Sequence, residues 1–521
     1  MRYQTAKILW YNYIIHLFFE EYTIVLSFFC EENNLNVENK ARILLEINKN
    51  GRSEFMSVSN THFGANRIEE MLKDCKSVFF CGVGGINMSS LAHISSVNGM
   101  RVGGSDRTPT KLTERLSAEG INIFYSHDEK NIEGYDAFVY TVAISEDNPE
   151  YVAALKKGIP VISRADYMGY LMTDYKCRIG VSGMHGKSTS TSICASVLMS
   201  GDTDPTVLSG AELSSMGGAY RVGAKNYFLF EACEYMDSFL DFNPNIAVIL
   251  NIEMDHVDYF ESLDHIKRSY RKFADIAVSN GGSVVANADD GNVLDALNGC
   301  ENVVYFGIEN QSADVRAENI TEDKGCYSFD LICFGKYVTK IELSVSGYHN
   351  VYNALSVAAV AFLCGIPAEA LAKGIKSFGG AARRMEYKGR INKAKVYDDY
   401  GHHPTEVKTT LEGIKSAVCD GRLFCAFQSH TYSRTKALFD GFVEALSVAD
   451  RVIVADIYAA RETDTMGITP ELLAERIDGG VAVHGFENIA NTLKKELREG
   501  DIAVVMGAGD IWRVFDYLDF E

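Results

Sequence analysis

The sequence predicts three successive α/β domains built on largely parallel sheets. Three observations carry this. From residue 76 onward, short apolar runs rich in β-branched and aromatic residues alternate with helical stretches, the pattern of βαβ units. The alternation restarts near residues 177 and 394. In each block a glycine-rich or polar motif follows the end of a strand, which is where parallel sheets place their ligands. A chain of 521 residues also exceeds what one hydrophobic core ordinarily holds, so several domains are expected.

Residues 1–60 read as an extension of unknown role, followed by domains over 61–174, 175–381 and 382–521. The apolar stretches at 8–19 and 22–30 are divided by His16, Glu20 and Glu21. Neither is long enough for a membrane-spanning helix, and no small-residue cleavage site follows them. The polar segment 31–60 reads as a linker, and Met56 is a plausible natural start of translation. Fifty basic against 70 acidic residues give a net charge of -20, which argues against nucleic acid or an anionic membrane as partner. Twelve scattered cysteines without a C-x-x-C pair read as free thiols of a reducing, cytoplasmic compartment.

In the first block, strands are expected at 78–81, 100–102, 137–142 and 159–162. Gly82-Val83-Gly84-Gly85 closes the first, and Met88 and Ser89 open the following helix. A glycine turn before a helix start suits a diphosphate. Ser105 and Asp106 follow the second strand, Asp106 about where a ribose-binding carboxylate falls. These residues fit NAD and UDP equally. Ser145 and Arg164, after later strands, are weaker candidates.

The second block opens with a strand at 177–181 that runs into Gly183-Met184-His185-Gly186-Lys187-Ser188-Thr189 and then a helix. Backbone N–H groups in such a loop turn toward an anion, Lys187 reaches the β- and γ-phosphates of ATP, and Ser188 or Thr189 offers a hydroxyl to Mg²⁺. The strict motif is not met, because Val181 stands where its first glycine belongs. A strand at 227–230 delivers Glu231, a carboxylate suited to the metal. A strand at 246–250 leads to Asp255-His256. Further strands are expected at 283–286, with a hairpin over 331–343. The third block has strands at 395–397, 423–427, 451–454 and 501–505.

Together the markers Gly183-Met-His-Gly-Lys-Ser-Thr, Glu231-Ala-Cys-Glu234, Asp255-His256 and Gly347-Tyr-His-Asn350-Val-Tyr-Asn353 resemble the Mur ligase family, over about six-sevenths of the chain. Asp398-Asp399-Tyr400-Gly401-His402-His403-Pro404-Thr405-Glu406 and Gln428-Ser429-His430-Thr431-Tyr432-Ser433-Arg434 resemble its members that add L-alanine. The resemblance implies an N-terminal Rossmann-like domain for a UDP-sugar, a central P-loop ATPase domain and a C-terminal Rossmann-like domain for the amino acid. It implies ATP and Mg²⁺, with UDP-N-acetylmuramate and L-alanine as small-molecule partners, and a monomer or homodimer.

By motif, Lys187, His256, Arg384 and Asp399 are the expected catalytic group. Residues 183–189 with Asn350 and Asn353 are expected to bind ATP, and Ser188, Glu231 and His256 the metal. Gly82, Gly84, Gly85, Met88, Ser89, Ser105 and Asp106 are expected to bind the UDP-sugar. His403, His430 and Arg434 are expected to bind the amino acid, and a guanidinium fork suits its carboxylate. Cys233 departs from the family's commoner Asp, and Thr431 from a commoner Arg. The implied chemistry is attack of the lactyl carboxylate on the γ-phosphate, then of the amine on the acyl phosphate, with a proton acceptor near Asp399, His402 and His403. Three rivals remain: a ligase that adds a preformed tripeptide, a nicotinamide-dependent oxidoreductase read from the first glycine loop, and a non-catalytic UDP-sugar sensor.

Overall fold

The computed structural model describes residues 58–521 except 257, 258, 324, 419, 420, 461 and 464. The extension expected at 1–60 therefore lies almost wholly outside the described residues. Among those described, no helix is long and apolar enough to cross a membrane.

Three sheets follow one another along the chain. The first has five parallel strands in the spatial order Asn122–Phe124, Arg101–Ser105, Ser77–Cys81, Ala137–Tyr140, Val161–Ser163. The order reverses beside Ser77–Cys81, so the glycine turn that ends this strand opens into the crevice formed there. The second sheet has ten strands. Its parallel centre runs Ser283–Asn287, Ile246–Ile249, Cys177–Ser182, Tyr227–Glu231, Thr206–Leu213. The expected hairpin is present as Cys326–Cys333 paired with Lys336–Ser346, and it extends one edge through Val315–Asp323. The third sheet has six strands, with Leu423–Phe427, Ile502–Met506 and Ala394–Asp399 adjacent and parallel.

The central strands Tyr227–Glu231 and Ile246–Ile249 of the second sheet read as apolar runs because both faces are covered. Alternate residues serve opposite cores: Phe228, Phe230, Ala247 and Ile249 pack on one face, Leu229, Ile179, Val181 and Val248 on the other. The first of these cores continues into the N-terminal sheet through Phe80, Tyr167 and Met172, which joins the two domains by apolar contact. Helix Arg164–Leu171 makes that junction tight. A Cβ on Gly169 would stand 1.9 Å from the backbone oxygen of Asp241, so only glycine permits the approach.

A strap over residues 60–64 fastens the same junction. Thr61 Oγ1 and the amides of Phe63 and Gly64 donate to Asp166, and His62 contacts Asp241 at 2.6 Å. The carboxylate of Asp241 is pushed up to about 6, chiefly by burial, which outweighs the hydrogen bond from His62.

Candidate active site

The phosphate loop leaves strand Cys177–Ser182 and enters helix Lys187–Ser200. Gly186 has φ +83°, and a Cβ there would lie 2.6 Å from Asn353 Oδ1. Both the left-handed backbone and the close approach therefore require glycine. The loop is held from outside its own strand. His185 N donates to Asn251 Oδ1 at 2.8 Å, and Asn251 Nδ2 donates back to His185 O at 3.0 Å.

Lys187 Nζ donates to the carbonyls of Gly183 and Met184 and to Glu234 at 3.1 Å. Glu234 also receives His256 Nε2 at 3.1 Å. This carboxyl is almost fully buried. Burial pushes its pKa up, but Lys187 and His256 override that and hold it at about 2. The expected trio of Ser188, Glu231 and His256 therefore divides. Ser188 Oγ donates to Glu231 Oε2 at 3.1 Å, whereas His256 turns to Glu234, a residue of the quoted motif given no role in the sequence reading. The pair of Ser188 and Glu231 offers adjacent oxygen ligands at the start of the loop's helix, the donor chemistry a hard divalent cation takes.

Helix His349–Leu363 brings Asn350 and Asn353 to the loop. Asn353 Nδ2 donates to Asn350 Oδ1 at 2.9 Å, and Ser190 Oγ donates to Asn353 Oδ1 at 3.1 Å. The two amides thus form one linked unit behind Gly186.

The third sheet contributes the opposite wall. Arg434 makes a two-pronged contact with Asp255, Nε to Oδ1 at 2.9 Å and Nη2 to Oδ2 at 3.3 Å. Both side chains are more than nine-tenths buried. Arg434 Nη1 lies 3.3 Å from His430 Nδ1. The guanidinium expected to anchor a carboxylate is thus engaged by a protein carboxylate. His402 and His430 are both held at about 4, by burial first and with Arg434 adding to it, so both are neutral near pH 7. His403 lies beside His185, ring centres 4.9 Å apart.

Asp399 is anchored by the backbone on both sides. Its two oxygens accept the amides of Met385 at 2.9 Å and Gly401 at 2.8 Å, so it fixes the turn that carries Arg384. Arg384 lies over the Tyr400 ring and 3.8 Å from Glu406. The His185 side chain reaches beyond the loop. Its Nε2 is 3.3 Å from Glu253 and its Nδ1 3.3 Å from Glu406. Sequence reading missed Glu234, Asn251, Glu253 and Glu406; strand-end position was the available signal for the first three.

In the N-terminal domain, Gly84 N donates to Asp106 Oδ2 at 2.8 Å, which brings the two expected diphosphate and ribose residues together beside Gly82 and Gly85. The side chains of Ser89, Met88 and Ser105 turn inward instead. Ser89 Oγ donates to the carbonyls of Val83 and Gly85, Met88 is buried in the core, and Ser105 Oγ donates to buried Glu150 at 2.6 Å. Ser145 Oγ is spent on Asp147. Arg164 lies at the junction beside Cys233 and Asp241, and burial lowers its pKa.

Family models match the three blocks in order: Mur ligase family, catalytic domain, over 77–176; Mur ligase middle domain, over 181–361; and Mur ligase, glutamate ligase domain, over 383–509. The UDP-N-acetylmuramate–L-alanine ligase of Clostridium tetani is 42% identical over 453 residues, spanning 86% of this chain and 98% of that protein. The protein of the same name from Caldanaerobacter subterraneus subsp. tengcongensis is 45% identical over 449 residues, 85% of this chain and 97% of that one. Among solved structures, the UDP-N-acetylmuramate–alanine ligase of Thermotoga maritima superposes with a TM-score of 0.70 at 27% identity, covering 85% of this chain and 98% of that one. A murein peptide ligase from Psychrobacter arcticus shares the fold, with a TM-score of 0.65 at 23% identity over 85% of this chain and 98% of that one. The chain belongs to the Mur ligase family.

Proposed function

We propose that the chain joins L-alanine to the lactyl carboxylate of UDP-N-acetylmuramate at the expense of ATP, giving UDP-N-acetylmuramoyl-L-alanine, ADP and phosphate for peptidoglycan synthesis in the cytoplasm. The observation that carries this reading is the meeting of two walls at one place. The phosphate loop with Lys187 faces the polar cluster of the third sheet, joined to it by His185–Glu406 and Arg434–Asp255. A nucleotide-dependent activation and an incoming amine need that adjacency, since proximity supplies much of the rate. The names of relatives above 40% identity along almost their whole length favour L-alanine over a tripeptide.

ATP enters the loop with its adenine toward Asn350 and Asn353. Lys187 exchanges Glu234 for the β- and γ-phosphates and stabilises charge on the transferred phosphoryl group. Ser188 and Glu231 would hold Mg²⁺, which His256 could join only on leaving Glu234, and the ion would neutralise phosphate charge there. The lactyl carboxylate attacks the γ-phosphorus and expels ADP. The amine of L-alanine then attacks the acyl carbon and expels phosphate. His402 and His430 line the wall from which that amine arrives and, being neutral near pH 7, place no positive charge against it. Asp399 acts at one remove, by fixing the turn of Arg384.

The test is ADP release with UDP-N-acetylmuramate and a panel of amino acids and tripeptides. L-alanine should give the highest kcat/KM. A preference for a tripeptide would overturn the substrate assignment, and no ADP with any acceptor would overturn the ligase reading.

A further inference from the structure

His185 sits inside the phosphate loop, yet its ring reaches groups outside the loop. Its two nitrogens approach carboxylates from different domains: Nε2 meets Glu253, after strand Ile246–Ile249, and Nδ1 meets Glu406, on helix Pro404–Val418. The same two carboxylates bind the helix's first turn. Glu406 accepts the amide of His402 at 3.0 Å, and Thr405 Oγ1 donates to Glu253 at 2.7 Å. Among the described residues, the charged and titratable groups around His185 are Glu253 and Glu406 as anions, His403 at ring distance, and Arg384, His402 and His349 around Glu406. Nε2 makes a hydrogen bond to Glu253, whereas Nδ1 stands within ion-pair distance of Glu406 without hydrogen-bond geometry, so carboxylates flank the ring on both sides and their charge favours its protonated form.

We propose that protonated His185 is a positioning residue that latches the C-terminal domain's 402–406 turn onto the phosphate loop, so that the amino-acid wall is assembled against the ATP wall. The latch rests on the ligase reading given above. Its charge fits its surroundings: burial lowers the imidazole pKa, but Glu253 and Glu406 outweigh burial and raise it to about 9. The latch is therefore fully formed below pH ~6.5 and persists until the pH rises through about 9.

The experiment uses the full chain with His185→Gln, His185→Lys, Glu406→Gln and the double variant His185→Gln/Glu406→Gln. Wild-type turnover with UDP-N-acetylmuramate and L-alanine tests the ligase reading by itself. The latch predicts that His185→Gln raises KM for L-alanine about tenfold, the loss of one charge-assisted contact, with less change in KM for ATP. His185→Lys should restore part of the loss, and the double variant should be little worse than either single. The ratio of wild-type to His185→Gln kcat/KM for L-alanine, in which titration of the amine cancels, should fall toward one as pH passes about 9. A rise in KM for ATP at least as large as that for L-alanine would overturn the latch and make His185 a phosphate contact. So would a pH-independent ratio, or losses that multiply in the double variant. If His185→Gln does not fold, Glu406→Gln reads the same KM split from the other side.

Discussion

Replacing Glu234 by Gln removes the anion that pairs with Lys187 and His256 beside the phosphate loop, and its consequence can be worked from the structure. The carboxyl has a relative exposure of 1%, and its pKa is drawn from an ordinary 4.5 to about 2. A depression of that size corresponds to ~3 kcal/mol of preference for the charged form. Because the folded pKa lies below the unfolded one, this stabilisation is present above pH ~4.5 and is lost as pH falls toward 2. Gln keeps the shape and leaves Lys187 buried without its partner, a costly state. At roughly 2–4 °C per kcal/mol for a domain of this size, the melting temperature at pH 7 should fall by ~6–12 °C. ATP supplies the missing negative charge without having to displace Glu234. It should therefore raise the melting temperature of Glu234→Gln by more than it raises that of the wild type. Differential scanning calorimetry with and without ATP reads both effects. A variant that melts within ~1 °C of wild type, or equal ATP shifts in the two proteins, would refute the reasoning.

Other substitutions test other contacts. Gly186→Ala places a Cβ 2.6 Å from Asn353 Oδ1 on a left-handed backbone; ATP binding by calorimetry should fall beyond detection while UDP binding persists. Arg434→Met leaves Asp255 buried and unpaired, so it should destabilise by about 3–5 kcal/mol in urea. Adding Asp255→Asn to it should recover much of that loss, whereas strictly additive losses would contradict a coupled pair. Lys187→Met should leave UDP-N-acetylmuramate binding intact and lower ADP formation at least ~10³-fold, as expected for loss of phosphoryl charge stabilisation. Gly169→Ala drives a methyl into the backbone of Asp241 and should lower the melting temperature without changing KM ratios among substrates.

The parts of the fold legible in the sequence were those where burial on both faces makes a strand one apolar run, as at Ile246–Ile249 and Leu423–Phe427. Strand Asn122–Phe124 is only three residues long, and Thr206–Leu213 carries Ser209, Gly210 and Glu212 in its second half, so neither stands out by pattern. In the site, Lys187 and the pairing of Ser188 with Glu231 followed from local chemistry: a glycine loop before a helix, and a carboxylate at the end of the neighbouring strand. The partners of His185 did not. Asn251 lies 66 residues away, and Glu253 meets Thr405 across 152 residues. Such contacts depend on how sheets are placed against one another, which no local spacing encodes. Arg434 shows the converse limit: its residue type suits a ligand carboxylate, but only the structure reveals Asp255 already filling the fork.

The central claim is that Lys187 and its loop activate a substrate carboxylate as an acyl phosphate before the amine attacks. UDP-N-acetylmuramate carrying ¹⁸O in the lactyl carboxylate tests it directly, with L-alanine, ATP and unlabelled water, by mass analysis of the released phosphate. The account predicts one labelled oxygen transferred to phosphate for each amide formed. Phosphate free of label, with amide still produced, would contradict it.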